Sequence, residues 1–392
     1  MDYFRGRFQT GSVELASCLV RAIESGRKRF AGIFMKMKFS FEVLENRSMM
    51  AAYRYADREV SSLIAKNYSD KFISRSEAIE VFKSVADNGG VDSRELADVR
   101  NFVKLNMSED VRYFSKSMLN NPANKTIRPL ANGSTTDNVF KLIDKWFLGK
   151  DRPVASTETN YRPVIGNLFV DGVSPTDVRQ GNAGDCYFLS VLSALAAKNK
   201  TTIQQMFKDN KDSTWTVTFY MQSPNGSYVK EFVTVDNHLP TNQSGSLYYA
   251  GFGYNFTNSN NELWVPLAEK AYAQWSETGH ANIFQDKQAN SYENIGRRGW
   301  SDKAFVAVAG KSSTQSFFVD ETILQKALSD NKAVVIYKYS NEQRTAGHAY
   351  YLKSYSQATN SYELYNPWGN SLTMNRSELK SCYGYAICNK IG

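Results

Sequence analysis

The stretch from Asp177 to Leu189, Asp-Val-Arg-Gln-Gly-Asn-Ala-Gly-Asp-Cys-Tyr-Phe-Leu, constrains this chain more than any other, because a glycine-bearing turn becomes an apolar helix there with a lone thiol at its start. Gly181 and Gly184 relieve steric limits on the turn, Asp185 is predicted as the helix N-cap, and Tyr187, Phe188, Leu189, Val191, Leu192 and Leu195 supply a largely buried run. Cys186 then lies in the first turn, where unpaired N–H groups and the positive end of the helix dipole favour a thiolate. The ordinary alternative is a buried structural cysteine.

Two further stretches bear on that choice: Ala346-Gly347-His348-Ala349-Tyr350 and Leu364-Tyr365-Asn366-Pro367-Trp368-Gly369. A cysteine nucleophile needs an imidazole to take its proton and a third group to fix that ring's tautomer and plane. His348 and Asn366 fit those roles. Both adjoin strand-forming runs, 349–355 and 361–365, so their side chains are expected to converge from neighbouring strands, with Trp368 shielding the His/Asn pair from water.

The order Cys, His, Asn, with Gln180 six residues before the cysteine, resembles the papain-type arrangement. The wording Gln-Gly-x-x-Gly-Asp-Cys, Gly-His-Ala-Tyr and Asn-Pro-Trp-Gly resembles the calpain family of cysteine proteases, and in particular its bacterial calpain-like type. Val233 to Asp236 with Leu239-Pro240, Glu262-Leu263-Trp264 and Glu269 to Ala273 extend the likeness over residues 161–392, with Tyr187 standing where the family usually has tryptophan. The resemblance implies an α+β, papain-like core of two lobes, 161–296 carrying the cysteine and 297–392 carrying His348 and Asn366 on antiparallel sheet. It implies a calcium-dependent type of endopeptidase acting on protein or peptide substrates through a thioester, with Gln180 donating to the oxyanion. It also implies a first-lobe calcium site of Asp177 and Glu262 carboxylates with Val170 and Gly172 carbonyls. The second-lobe site is not expected, because Leu372 stands where the family has an acid and the chain ends before the remaining loop. Two other functions share the triad: a binding module that retains the fold without proteolysis, and an acyl transferase.

Upstream, residues 53–150 read as a helical accessory region, with periodic runs at 75–86, 93–105 and 139–148. Asp87, Asp92 and Glu95 flank a glycine pair at a spacing too short for a twelve-residue calcium loop, so a helix–helix turn is expected. Placed directly before the core, this region is expected to restrain the cleft. Residues 1–52 form a basic leader or tail; 36–47 resembles the Leu-Glu-x-Arg leaders of exported bacterial proteins, which leaves a cytoplasmic and an exported location both open, and Met35 or Met37 as an alternative start.

The formal charge of +8 is concentrated in that leader, and no basic stripe interleaved with aromatics follows it, so no nucleic-acid partner is expected. Three histidines without a Cys/His cluster argue against zinc, no organic cofactor is expected, and no run is apolar enough to span a bilayer. Four dispersed cysteines make no disulfide framework, although Cys382 and Cys388 are near enough in sequence to pair. Oligomeric state and substrate preference are not encoded in any motif.

Overall fold

A computed structural model describes residues 56–86, 89–120, 127–281, 289–339 and 347–390. The leader lies outside the described residues. The chain opens with five helices, α1 (Arg58–Asn67), α2 (Arg75–Ser84), α3 (Ser93–Phe102), α4 (Glu109–Asn120) and α5 (Thr136–Trp146). Two of them start at capping boxes, Ser74 with Glu77 and Asp92 with Glu95, in which each side chain accepts from the other's backbone N–H. That use accounts for the Asp92 and Glu95 carboxylates at the predicted helix–helix turn; Asp87 lies outside the described residues.

The helices bury a common core of Val81, Phe82, Val99, Phe102, Phe114, Ile143 and Phe147, with Phe82 and Phe102 edge to face at 5.8 Å. The same cluster takes in Phe232, which belongs to the neighbouring sheet. The helical unit therefore leans on the outer side of the following layer. Lys145, fully buried near the end of α5, pairs with Asp151 at 2.7 Å and with Glu277 across the junction. Thr234 Oγ1 donates to the Trp146 carbonyl at 2.7 Å, and Arg75 donates to the Phe147 carbonyl.

After strand β1 (Asn160–Pro163) come helices α6 (Cys186–Lys198) and α7 (Lys200–Met206), and strands β2 (Phe207–Asp209), β3 (Thr214–Gln222), β4 (Tyr228–Asp236) and β5 (His238–Thr241). Strands β2, β3 and β4 form an antiparallel sheet and β1 pairs with β5. Helices α8 (Trp264–Trp275), α9 (Tyr292–Gly296) and α10 (Ser301–Ala309) follow. The last part contains β6 (Ser313–Ser316), α11 (Glu321–Ser329), β7 (Val334–Tyr339), β8 (Gly347–Ser356), β9 (Ser361–Asn366), β10 (Asn370–Asn375), α12 (Arg376–Lys380) and β11 (Gly384–Cys388). Its six strands run β10-β9-β8-β7-β11-β6, with every neighbouring pair antiparallel.

The architecture is α+β, as expected. Strand alternation decides which face each residue serves. Val335, Tyr337, Ala349 and Tyr351 join the main core around α6, whereas Val334, Ile336, Tyr350 and Leu352 form a second core with Leu324 and Ala327 of α11. Helix α6 is apolar on all sides because it is covered by the sheet, α10 and α8; every residue from Tyr187 to Ala196 is buried.

Candidate active site

Cys186 opens α6, and the reason its turn needs glycine differs from the expectation. Neither Gly181 nor Gly184 has a positive φ. Both instead let backbone approach backbone: a Cβ on Gly181 would stand 2.3 Å from the Tyr249 carbonyl oxygen, and one on Gly184 would stand 2.4 Å from that of Gly296. Asp185 occupies the N-cap position but makes no side-chain cap, because its backbone is not extended (φ −103°, ψ 27°) and its carboxyl turns inward. There it meets Glu269 of α8, also buried. Burial pushes Asp185 up to about 7 and Glu269 well above the carboxylate range, and Glu269 Oε2 accepts from the Ala250 amide at 2.9 Å. Sequence reasoning quoted Glu269 only as part of a motif. The signal it missed was an acid inside a helix whose every residue is buried.

His348 begins β8 and Asn366 ends β9, two adjacent antiparallel strands. His348 Nε2 lies 2.9 Å from Asn366 Oδ1, and the Trp368 amide donates to the same oxygen at 3.0 Å. That backbone donor requires an acceptor, which fixes the amide orientation and makes His348 Nε2 the protonated nitrogen. Nδ1 is left as the basic atom. The Trp368 ring lies over the imidazole at 4.4 Å, covering the pair as expected while remaining more than half exposed on its outer side.

The structure brings His348 to Cys186 through the backbone between them. The Ala349 amide donates toward the thiol, Ser190 Oγ donates to the Ala349 carbonyl at 2.8 Å, and Cys186 and His348 line one cavity. The Cys186 thiol is partly accessible from that cavity but otherwise enclosed by protein. Burial pushes it up to about 11, with the Ala349, Tyr187 and Cys186 amides acting against the shift; burial also lowers His348 below its ordinary value.

Gln180 is buried next to the nucleophile loop. Its backbone N–H donates to the Pro367 carbonyl at 2.7 Å and its Nε2 donates to the Ala183 carbonyl at 2.7 Å, while its Oε1 has no partner. The cleft cavity, about 570 Å³, is lined by Gly184, Cys186, Tyr187, 296–300, Tyr337, Tyr339, 347–349 and Tyr383. None of these belongs to α1–α5, so the described helical residues do not occupy the cleft. A second cavity of about 450 Å³, among α6, α7, β3 and α10, contains none of the four groups.

Two of the four residues expected at a calcium site, Glu262 and Val170, are in direct contact, and the charge of a third, Asp177, acts on Glu262. Glu262 Oε1 accepts from the Val170 amide at 2.8 Å; Asp177 Oδ2 accepts from the Ser174 amide at 2.7 Å and from Trp264 Nε1 at 3.0 Å. Desolvation first, then the charges of Asp177 and Asp171, push Glu262 up to about 7. Mutual repulsion of this kind is what a cation would relieve, and each carboxylate keeps one oxygen outside the bonds just named. Among the described residues no three His, Cys, Asp or Glu side chains form a metal-binding group, so carbonyl oxygens such as those of Val170 and Gly172 would have to complete a hard-oxygen shell. Leu372 sits in β10 opposite Leu364, in an apolar position. Cys382, in the loop between α12 and β11, and Cys388, the last residue of β11, are free, buried thiols, the former 3.8 Å from Met374 Sδ. No described helix is long and apolar enough to cross a membrane.

A family profile described as calpain family cysteine protease matches residues 152–375, more than half of the chain. Among curated proteins, Calpain-5 of Mus musculus is 34% identical over 119 residues, covering 27% of this chain and 17% of that protein. The calpain-type cysteine protease DEK1 of Arabidopsis thaliana is 26% identical over 246 residues, 60% of this chain and 11% of that protein. ADL1 of Oryza sativa subsp. japonica, also a calpain-type cysteine protease, is 28% identical over 220 residues, 53% and 10% respectively. The chain thus spans less than a fifth of the length of these relatives.

Proposed function

The chain belongs to the calpain family of cysteine proteases, and we propose that it is an endopeptidase that works through Cys186, His348, Asn366 and Gln180. The observation that carries the reading is the oriented imidazole: Asn366 and the Trp368 amide together leave Nδ1 as the free base on the strand whose next residue touches the thiol. Cys186 Sγ attacks the peptide carbonyl carbon as its proton passes to His348 Nδ1. The resulting oxyanion is met by the Cys186 backbone N–H and the Gln180 amide. His348 then returns the proton to the leaving amine, the C–N bond breaks, and a thioester remains. Water activated by His348 cleaves it, releasing the carboxylic acid and restoring the thiol.

Asn366 has its greatest effect when the ring becomes cationic and the 2.9 Å bond becomes charge-assisted. Calcium, held by Asp177, Glu262 and the carbonyls of Val170 and Gly172, would neutralise the local carboxylates and stiffen the loop that leads into Gln180. Proteins or peptides are the substrates this chemistry implies.

The experiment compares the purified chain with Cys186→Ala on casein and fluorogenic peptides, with calcium and with chelator, and follows labelling by a thiol-directed epoxide. Cleavage and labelling that both vanish in the variant are expected. An intact protein that cuts nothing and takes no label would refute the reading, and chelator-insensitive cleavage and melting temperature would remove calcium alone.

A further inference from the structure

The cleft carries a charge that peptide-bond chemistry does not use. One wall is the segment Gly296-Arg297-Arg298-Gly299-Trp300 that leads from α9 into α10; the other is Tyr337 and Tyr339 of β7 with Tyr383 just before β11. Two guanidinium groups, and no carboxylate, are among the described residues that line it. Arg297 is committed to Glu293, 3.0 Å away and one turn earlier, and the next acid along, Asp302, faces Lys303 at 3.4 Å. Arg298 has no such ion pair among the described residues.

The position of Arg298 relative to the chemistry follows from its neighbours. Arg298 and Tyr383 line the same cavity as Cys186, with the Tyr383 hydroxyl at the start of the strand that carries the base. That hydroxyl overhangs the residue before the base, since a Cβ on Gly347 would stand 2.1 Å from it. Tyr383 itself is held by its amide bond to the Tyr337 carbonyl at 2.9 Å and by the Tyr339 ring at 4.5 Å. An extended peptide laid past Cys186 would therefore meet, at this wall of the cavity, both the Arg298 charge and the aromatic surface of Tyr337, Tyr339 and Tyr383.

Resting on the peptidase reading above, we propose that Arg298 makes this cleft selective for acidic peptide segments, with a carboxylate side chain of the substrate taken up between Arg298 and the Tyr383 hydroxyl. An arginine and a phenolic O–H offer a carboxylate two donors of fixed direction, whereas a lysine side chain there would meet a like charge with no acid to receive it. The pair is partly solvated, so its effect is on binding more than on turnover and is screened by salt.

The test uses fluorogenic peptides matched except for Glu or Lys, placed in turn at each of the four positions on the amino side of the cleaved bond. The wild-type protein should favour Glu at one of them by about tenfold in kcat/KM at low salt, mostly through KM, and the ratio should shrink at high salt. Arg298→Glu should invert the ratio and Arg298→Lys should retain most of it. Equal rates on Glu and Lys peptides at all four positions, or a ratio unmoved by Arg298→Glu in a variant that still takes the epoxide label, would overturn the selectivity while leaving the peptidase reading intact. A chain that cuts none of the peptides and takes no label would overturn both.

Discussion

Replacing Lys145 by methionine should cost this protein a large share of its stability, and the loss should depend on pH in a direction that the structure specifies. Lys145 is completely buried, bonded to Asp151 and Glu277, while Glu277 is itself only 6% exposed. Methionine fills similar volume, so the cost is not a cavity. It is the uncompensated charge of Glu277, and breaking a buried pair from one side typically costs about 3–5 kcal/mol. Against a total of roughly 5–15 kcal/mol, that is about a fifth of the whole or more. Burial already raises Glu277 above its ordinary value of 4.5, and Lys145 is the main group opposing the rise. Without the lysine the folded-state value climbs further. A group raised in the folded state contributes stability at low pH and loses it as pH rises through the folded value, so the penalty in the variant should be small near pH 5 and full near pH 8. Urea unfolding at several pH values, followed by circular dichroism and by fluorescence, measures this directly. Lys145→Met with Glu277→Gln should recover most of the loss, because Asp151 is solvated enough to stand alone. A Lys145→Met variant within about 1 kcal/mol of wild type, or equally destabilised at both pH extremes, would refute the reasoning.

Asn366→Ala should lower kcat/KM by about 10- to 100-fold, the loss of a bond of roughly 1.5–3 kcal/mol to an imidazolium, with substrate affinity less affected; unchanged kinetics would show that the ring is held by other means. Gln180→Ala should reduce kcat by about 10²- to 10³-fold while leaving epoxide labelling of Cys186 in place, measured by mass spectrometry of the intact chain. Since burial lowers His348 below 6.5, and the ring must be neutral to accept the thiol proton, kcat/KM should persist at pH 6 and fall only on further acidification; an acid limb centred above pH 7 would contradict this. Gly184→Ala should be destabilised by about 1–3 kcal/mol, because its new Cβ meets the Gly296 carbonyl, and a neutral melting temperature would show that the two segments separate freely.

The site was readable because its signals are short and chemically specific. Gln180, Cys186, His348 and Asn366 stand in motifs whose local structure, a turn into a helix and two strand ends, follows from the residues themselves. In the C-terminal sheet β8 and β9 were likewise visible as the aromatic-rich runs 349–355 and 361–365, whereas β6, β10 and β11 were not singled out; β10 is mostly polar because one face is solvated. Helices α1 and α4 escaped notice, as did α10, whose Ala- and Val-rich run has no polar face to give a period. What could not be read was pairing at a distance. Nothing local distinguishes Asp185 turned toward Glu269 from Asp185 capping its own helix, and nothing near Lys145 announces Glu277, which is 132 residues away. Nor does the sequence reveal that the helical unit packs on Phe232 of β4 and that none of its described residues lines the cavity holding Cys186.

Three hydrogen bonds described above, or belonging to the same junction, tie the nucleophile's segment to the strands that carry the base: Gln180 N–H to Pro367, Ser190 Oγ to Ala349, and Tyr365 Oη to the Val178 carbonyl at 3.3 Å. They fasten the turn that leads into α6, and α6 itself through Ser190, to the sheet that carries His348 and Asn366. On the peptidase reading, any movement that parted the thiol from the imidazole would have to break these bonds as well, so the reacting groups are held by the same contacts that close the junction.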